Sequence, residues 1–173
     1  MTVTVVVGNP KPQSRTRLAA LRVAEELTGR PPDVDLDLAT FGAALLDWES
    51  VEVGQAVKQV QDSELVIVAS PTYKGTYTGL LKLFLDRFGA GSLSGAQAVP
   101  LMLGGHWKHA LAPEVFLKPV LNEIGASTPT AGLYLLDSAW DAPDALDGWL
   151  TASRQRLSTS VFASDGGDGQ KGP

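Results

Sequence analysis

Short apolar runs alternate with longer stretches in which apolar positions recur every three or four residues, and the alternation continues to about residue 162. Val3 to Val7 is a short β-branched run that reads as a strand. From Ser14 to about Leu27 the period changes. Ala20, Val23, Ala24 and Leu27 share one face, while Arg22, Glu25 and Glu26 fall on the wet side of a helix that Gly29 and Pro31-Pro32 stop. Val34 to Leu38 alternates with period two, as an edge strand does. A loop carrying Phe41, Leu45, Leu46 and Trp48 leads to a helix over Val51 to Asp62 and a fully apolar strand over Leu65 to Ala69.

The remaining chain repeats the scheme. Leu80 to Phe88 reads as a helix that is apolar on almost every side. One sheet face cannot bury all of it, so either a subunit interface or neighbouring loops must cover the rest. Gln97 to Leu103 reads as the fourth strand. A helix is predicted over Lys108 to Ile124, with Pro113 in its first turn or at a kink. A fifth strand falls within Thr128 to Leu136. A last helix over Pro143 to Phe162 carries Leu146, Trp149, Leu150, Leu157 and Val161 on one face. Strands alternating with helices predict an α/β three-layer sandwich with a parallel sheet covered on both faces. Five strands and five helices match the flavodoxin-like fold, a five-stranded parallel sheet in order 2-1-3-4-5.

Composition narrows the class. The 173 residues suit one domain, expected over residues 1–162. The hydrophobic share of 44% and charged share of 19% are those of an ordinary globular protein. A net charge of -5 with no basic stripe argues against a nucleic-acid partner. The absence of cysteine excludes disulfides, thiol catalysis and cysteine metal sites, and fits a cytoplasmic protein. The amino terminus lacks the basic start and cleavage site of a signal peptide, and its apolar run is too short to span a membrane. The end, residues 163–173, has no large apolar residue to anchor it and reads as a disordered tail.

The chemistry sits where strands hand over to helices, the edge at which open α/β sheets bind ligands. The first such loop is Gly8-Asn9-Pro10-Lys11-Pro12-Gln13-Ser14-Arg15-Thr16. A terminal phosphate needs several donors and a positive field. A turn with exposed N–H groups, a helix start, the hydroxyls of Ser14 and Thr16, and Arg15 or Arg17 supply both. The same residues also serve a plain helix start, since Ser and Thr are usual caps; two arginines in a first turn are then mildly unfavourable and point to an anion. Neither G-x-x-x-x-G-K-[ST] nor G-x-G-x-x-G is present, which disfavours a nucleoside triphosphatase and a dinucleotide-binding Rossmann domain.

The second loop, Ser70-Pro71-Thr72-Tyr73-Lys74-Gly75, and the third, Gly104-Gly105-His106-Trp107, can meet a flat ring from two sides. An isoalloxazine needs an apolar wall and backbone donors along its pyrimidine edge. Pro71 stiffens the strand exit, Tyr73 offers an aromatic body with a polar tip, and Gly75 permits close approach. Gly104 and Gly105 permit N–H groups to face a ring oxygen. His106 and His109 stand three apart but lack a third ligand, so no metal is expected. Taken together, the loops point to a flavin mononucleotide (FMN) site.

With these motifs the chain resembles the NAD(P)H-dependent FMN reductases of the flavodoxin-like fold, most closely the type that supplies reduced flavin to two-component monooxygenases. The resemblance spans most of residues 3–160. It rests on Gly8-Asn9-Pro10 with Ser14-Arg15-Thr16, Pro71-Thr72-Tyr73-Lys74-Gly75 with Thr78-Gly79-Leu80-Leu81-Lys82, and Gly104-Gly105. Downstream it adds His109-Ala110-Leu111-Ala112 and Leu117-Lys118-Pro119-Val120-Leu121. It implies that Ser14, Arg15 and Thr16 bind the FMN phosphate, assisted by Asn9. It implies that Pro71, Thr72, Tyr73, Lys74, Gly75, Gly104, Gly105 and His106 hold the ring, with NADPH or NADH as hydride donor and a homodimer or homotetramer as assembly. Some members carry a tyrosine, linked to loose flavin binding, where this chain has Val115. Hydride transfer between stacked rings needs no protein acid or base, so no catalytic residue in that narrow sense is expected. A flavodoxin-like electron carrier, disfavoured by the arginines and modest charge, and a quinone or azo reductase on bound FMN are the alternatives. A phosphorylation-controlled signalling domain would need acidic residues where Gly8-Asn9-Pro10 and Ser70-Pro71 stand.

Overall fold

The computed structural model describes residues 1–157. Its five parallel strands are β1 (Val3–Val7), β2 (Val34–Asp37), β3 (Leu65–Pro71), β4 (Gln97–Gly104) and β5 (Leu133–Leu136), ordered β2-β1-β3-β4-β5. This is the predicted order. The helices are α1 (Arg15–Thr28), α2 (Val51–Gln61), α3 (Gly79–Leu85), α4 (Lys118–Glu123) and α5 (Asp147–Arg154). β1 and β3 are buried on both faces, as their continuous apolar runs require. Their alternate residues feed two cores. Val5, Ile67 and Leu101 meet Ala20, Val23 and Leu27 of α1 and Leu150 of α5. Val66, Val68, Met102 and Tyr134 meet Val53, Phe84 and Leu121 of α2, α3 and α4.

Local chemistry sets the helix ends. The Ser14 side chain accepts the Arg17 N–H at 3.3 Å and caps α1, and Gly29 at φ 73° closes it. Thr78 caps α3 by accepting the Leu81 N–H at 3.1 Å. Leu81, Phe84, Leu85 and Phe88 are buried against the sheet and the 3-10 segment Leu38–Leu46, whereas Leu83 stays exposed.

Two helix predictions need correction. The helix expected over Lys108 to Ile124 is a 3-10 turn (Trp107–His109), a π turn (Pro113–Leu117) and the short α4. Pro119 lacks the N–H that would reach back to Val115, and the Lys118 N–H closes the wider ring onto the Pro113 carbonyl instead. The last helix begins at Asp147 rather than Pro143, after a string of turns from Leu136 to Asp147, and its α-helical part ends at Arg154. The rest of that prediction, including Val161, and the tail lie outside the described residues. β3 runs on to Pro71, which pairs with Leu103, and β2 stops at Asp37.

Candidate functional site

The parallel sheet directs the ends of β1, β3, β4 and β5 to one edge. A cavity of about 300 Å³ lies there, lined by Asn9, Lys11, Gln13, Ser14, Arg15, Thr16, Leu18, Pro71, Tyr73 and Asp137. It gathers six of the sequence-predicted residues: Asn9, Ser14, Arg15, Thr16, Pro71 and Tyr73.

The first loop is built from short-range polar bonds. Asn9 is buried; its Nδ2 donates to Thr16 Oγ1 at 3.0 Å, and its Oδ1 accepts the Lys11 N–H at 2.9 Å. Gln13 adopts a left-handed φ of 52° and donates its N–H to Asp37 Oδ2 at 2.9 Å. The chain thus wraps so that the N–H groups of Ser14, Arg15 and Thr16 have no protein acceptor among the described residues. No acidic residue stands in the first turn of α1. The two arginines there separate in role. Arg17 is held by the Asp35 carboxylate, whereas Arg15 has no carboxylate partner among the described residues and donates Nη1 to the Asp137 carbonyl at 3.1 Å.

The second loop is a tight turn in which Tyr73 and Thr76 exchange backbone hydrogen bonds at 2.9 and 3.2 Å. Lys74 at φ 53° and Gly75 at φ 88° form its tip, and Tyr73 is 52% exposed. Thr72, Lys74, Gly75, Gly104, Gly105 and His106 do not line the cavity. The Thr72 N–H bonds the Leu103 carbonyl at 2.6 Å, and Gly75 faces the His109 ring. The N–H groups of Gly105 and His106 have no protein acceptor among the described residues. A Cβ on Gly104 would lie 2.1 Å from the Tyr134 hydroxyl and 3.1 Å from Thr72 Oγ1, so its missing side chain makes room for protein atoms. Gly105 faces open space and permits close approach.

Lys11, Gln13, Leu18 and Asp137 line the cavity although the sequence did not single them out as site residues. Asp137 had one signal, its place just past the fifth strand at the ligand-binding edge. Among the described residues no group of three or more acidic or histidine side chains is placed to hold a metal, and no helix is long and apolar enough to cross a membrane.

A family model for NADPH-dependent FMN reductases matches residues 1–141. The chain belongs to that family. It is 32% identical over 142 residues to the FMN reductase (NADPH) of Escherichia coli (strain K12), covering 80% of this chain and 74% of that protein. It is 31% identical over 147 residues to the NADH-dependent FMN reductase SfnF of Pseudomonas putida, covering 80% and 79%. Among solved structures, the apo form of an NADH:FMN oxidoreductase (EMOB) superposes with a TM-score of 0.81 at 28% identity, covering 91% of this chain and 90% of that one. The chain is therefore a flavin reductase of flavodoxin-like fold that works on FMN with a reduced nicotinamide nucleotide.

The donor set fits the group this family uses. Three N–H groups and an arginine that have no acceptor or carboxylate partner, respectively, among the described residues, together with the Ser14 hydroxyl and the positive end of a helix, match a terminal phosphate.

Proposed function

We propose that FMN lies across this edge with its phosphate on Ser14, Arg15 and Thr16 and its ring between Pro71-Thr72-Tyr73 and Gly105-His106. Asn9 acts through Thr16, whose hydroxyl it orients. FMN held there would supply the redox chemistry, two-electron exchange with a reduced nicotinamide. This chain's residues bind, orient and polarise. Tyr73 and Pro71 form a wall, and the Gly105 and His106 N–H groups offer donors where negative charge accumulates on the pyrimidine side. Lys74 and Gly75, at the exposed tip of their turn, serve the nicotinamide nucleotide. NADPH is the expected donor, with NADH the competitor to test.

The observation that carries this reading is the trio of unpaired N–H groups beside Arg15. The test compares FMN with riboflavin, which lacks the phosphate, by flavin fluorescence quenching. FMN binds more tightly to the unaltered protein, and Arg15→Ala erases most of that preference. Equal affinity for the two flavins would overturn the phosphate assignment. Anaerobic mixing of the FMN-loaded protein with NADPH or NADH then bleaches the flavin band and ranks the donors.

The reduced FMN goes, on this reading, to a flavin-dependent monooxygenase in the cytoplasm. The support is the family type the sequence resembles, and the half-exposed Tyr73 at the cavity wall. The chain also self-associates. Val115 and Phe116 are exposed on the π turn and Leu111 is exposed just before it, and a separate groove of about 390 Å³ between α3 and α4 is lined by Leu85, Phe88, Val120 and Ile124. Large apolar side chains clustered at a surface favour a protein contact.

A further inference from the structure

We infer that Tyr134 is a positioning residue for the flavin ring, its hydroxyl fixing the third loop so that the Gly105 and His106 N–H groups hold one direction. This inference rests on the ring placement proposed above. Tyr134 lies in β5 and is 6% exposed, on a sheet face it shares with Val66, Val68 and Met102. An aliphatic face has no use for a phenol, since a buried hydroxyl must find a partner or lose its hydration without return. The partner here is specific: Tyr134 Oη donates to the His106 carbonyl at 2.9 Å.

Peptide planarity turns that bond into a constraint on the site. Because each peptide unit is planar and trans, fixing a carbonyl fixes the N–H across the same bond. The Asp137 N–H holds the Gly104 carbonyl at 3.0 Å, which sets the direction of the Gly105 N–H. Tyr134 Oη holds the His106 carbonyl, which sets the peptide unit after His106. Between these two anchored units lies a single free one, carrying the His106 N–H. The rotations left to it pass through Gly105, the residue with the widest backbone freedom. Removing the Tyr134 hydroxyl takes away the shorter of two bonds to the His106 carbonyl, leaving the His109 N–H at 3.3 Å and, on the His106 side chain, the Lys108 N–H on Nδ1 at 3.1 Å, both from within the same loop.

Two neighbouring features fit the same role. Gly104 has no Cβ, and the space is taken by the Tyr134 hydroxyl, so the tyrosine reaches its partner through a gap that any other residue would close. Trp107 lies over Tyr134 with ring centroids 5.8 Å apart and is itself 58% exposed, which ties the loop's aromatic rim to the same buried ring.

The decisive variant is Tyr134→Phe, which keeps the ring packing and removes only the hydroxyl. It is expected to bind FMN and riboflavin about tenfold more weakly, by the same factor, because the loss is at the ring and not at the phosphate. Arg15→Ala should weaken FMN alone. Reduced flavin, which carries more charge toward the N–H groups, should lose about tenfold more than oxidised flavin. The midpoint potential of bound FMN would then fall by about 30 mV. A merely structural tyrosine would lower the melting temperature without moving the potential.

A second measurement needs no variant. In the unaltered protein, the amide NMR signals of Gly105 and His106 should shift with riboflavin as much as with FMN, while those of Ser14, Arg15 and Thr16 shift with FMN only. Unchanged flavin affinities and potential in Tyr134→Phe overturn the role of Tyr134, whereas Gly105 and His106 signals indifferent to riboflavin overturn the ring placement on which it rests. Failure of Arg15→Ala to distinguish the two flavins overturns the site placement itself.

Discussion

Thr78 Oγ1 donates to the Gly8 carbonyl at 2.5 Å while accepting the Leu81 N–H at 3.1 Å, so one hydroxyl both caps α3 and ties it to the exit of β1. The two loops proposed to hold opposite ends of FMN are thus joined through a buried side chain. Thr78→Val keeps the shape and removes both bonds. It is expected to cost about 2–3 kcal/mol in urea unfolding, the sum of a lost cap and a buried carbonyl left unpaired. Thr78→Ser, which retains the hydroxyl, should cost less than about 1 kcal/mol.

The same junction explains Gly8. A Cβ on Gly8 would stand 2.4 Å from Leu81 Cβ and 3.0 Å from Leu81 Cα, closer than α3 can accept without moving. Gly8→Ala is therefore expected to destabilise the chain by about 1–3 kcal/mol through overpacking. Because the shift falls on the first loop, FMN affinity should fall in the fraction that remains folded, measured by titration well below the melting temperature. A stable Gly8→Ala with unaltered affinity would show that α3 can slide away.

The fold was legible where one physical signal dominated. Val3 to Val7 and Leu65 to Ala69 are buried on both faces, and a run of β-branched and aliphatic residues has no other stable placement. Ser14 was readable as a cap because its role is local, three residues from its partner. The segment from Lys108 to Ile124 misled because its apolar spacing is helical while Pro113 and Pro119 each remove a backbone donor, and periodicity does not register a missing N–H. Tyr134 could not be read at all. Its partner His106 is 28 residues earlier and meets it only because β4 and β5 are neighbours. The family resemblance singled out Arg15, but a physical reason to prefer it over Arg17 needs the structure, in which β2 brings Asp35 to Arg17.

Acid should loosen the π-turn segment. Glu114 accepts from Lys118 Nζ at 2.8 Å and from the Gly132 N–H at 2.7 Å. The Lys118 hydrogen bond, helped by the Gly132 N–H and the lysine charge, outweighs burial and holds the Glu114 carboxyl below its usual range. A lowered folded value means that the stabilisation is fully present above the ordinary glutamate range. It fades as the pH falls through the lowered value. Both side chains are partly exposed, so the effect stays below about 1 kcal/mol. Urea melts between about pH 3 and 5 should show a shallower decline for Glu114→Gln than for the unaltered protein.

Self-association through the π-turn segment predicts that Phe116→Asp lowers the oligomeric state in analytical ultracentrifugation. Phe116 is 49% exposed, so the folded subunit should lose no more than about 0.5 kcal/mol. An unchanged sedimentation coefficient, with the unaltered protein also monomeric, would remove the proposed contact.

Ser14 allows stability and ligand binding to be separated at a single atom group. Its hydroxyl caps α1 through the Arg17 N–H, and its N–H is one of the three unpaired donors. Aspartate caps a helix about as well as serine and adds a favourable interaction with the dipole. Ser14→Asp is therefore expected to melt at or slightly above the temperature of the unaltered protein. The same carboxylate, however, brings a negative charge to the place proposed for a phosphate that itself carries nearly two. FMN affinity should fall by about a hundredfold or more, since like charges at contact distance in a partly desolvated cavity repel by several kcal/mol. Riboflavin, without the phosphate, should lose little. Ser14→Ala gives the converse pattern: a lower melting temperature by the value of one cap, about 1 kcal/mol, and a smaller loss of FMN affinity, because the backbone donors and Arg15 remain. If Ser14→Asp and Ser14→Ala weakened FMN equally, the phosphate would have to lie elsewhere along the edge.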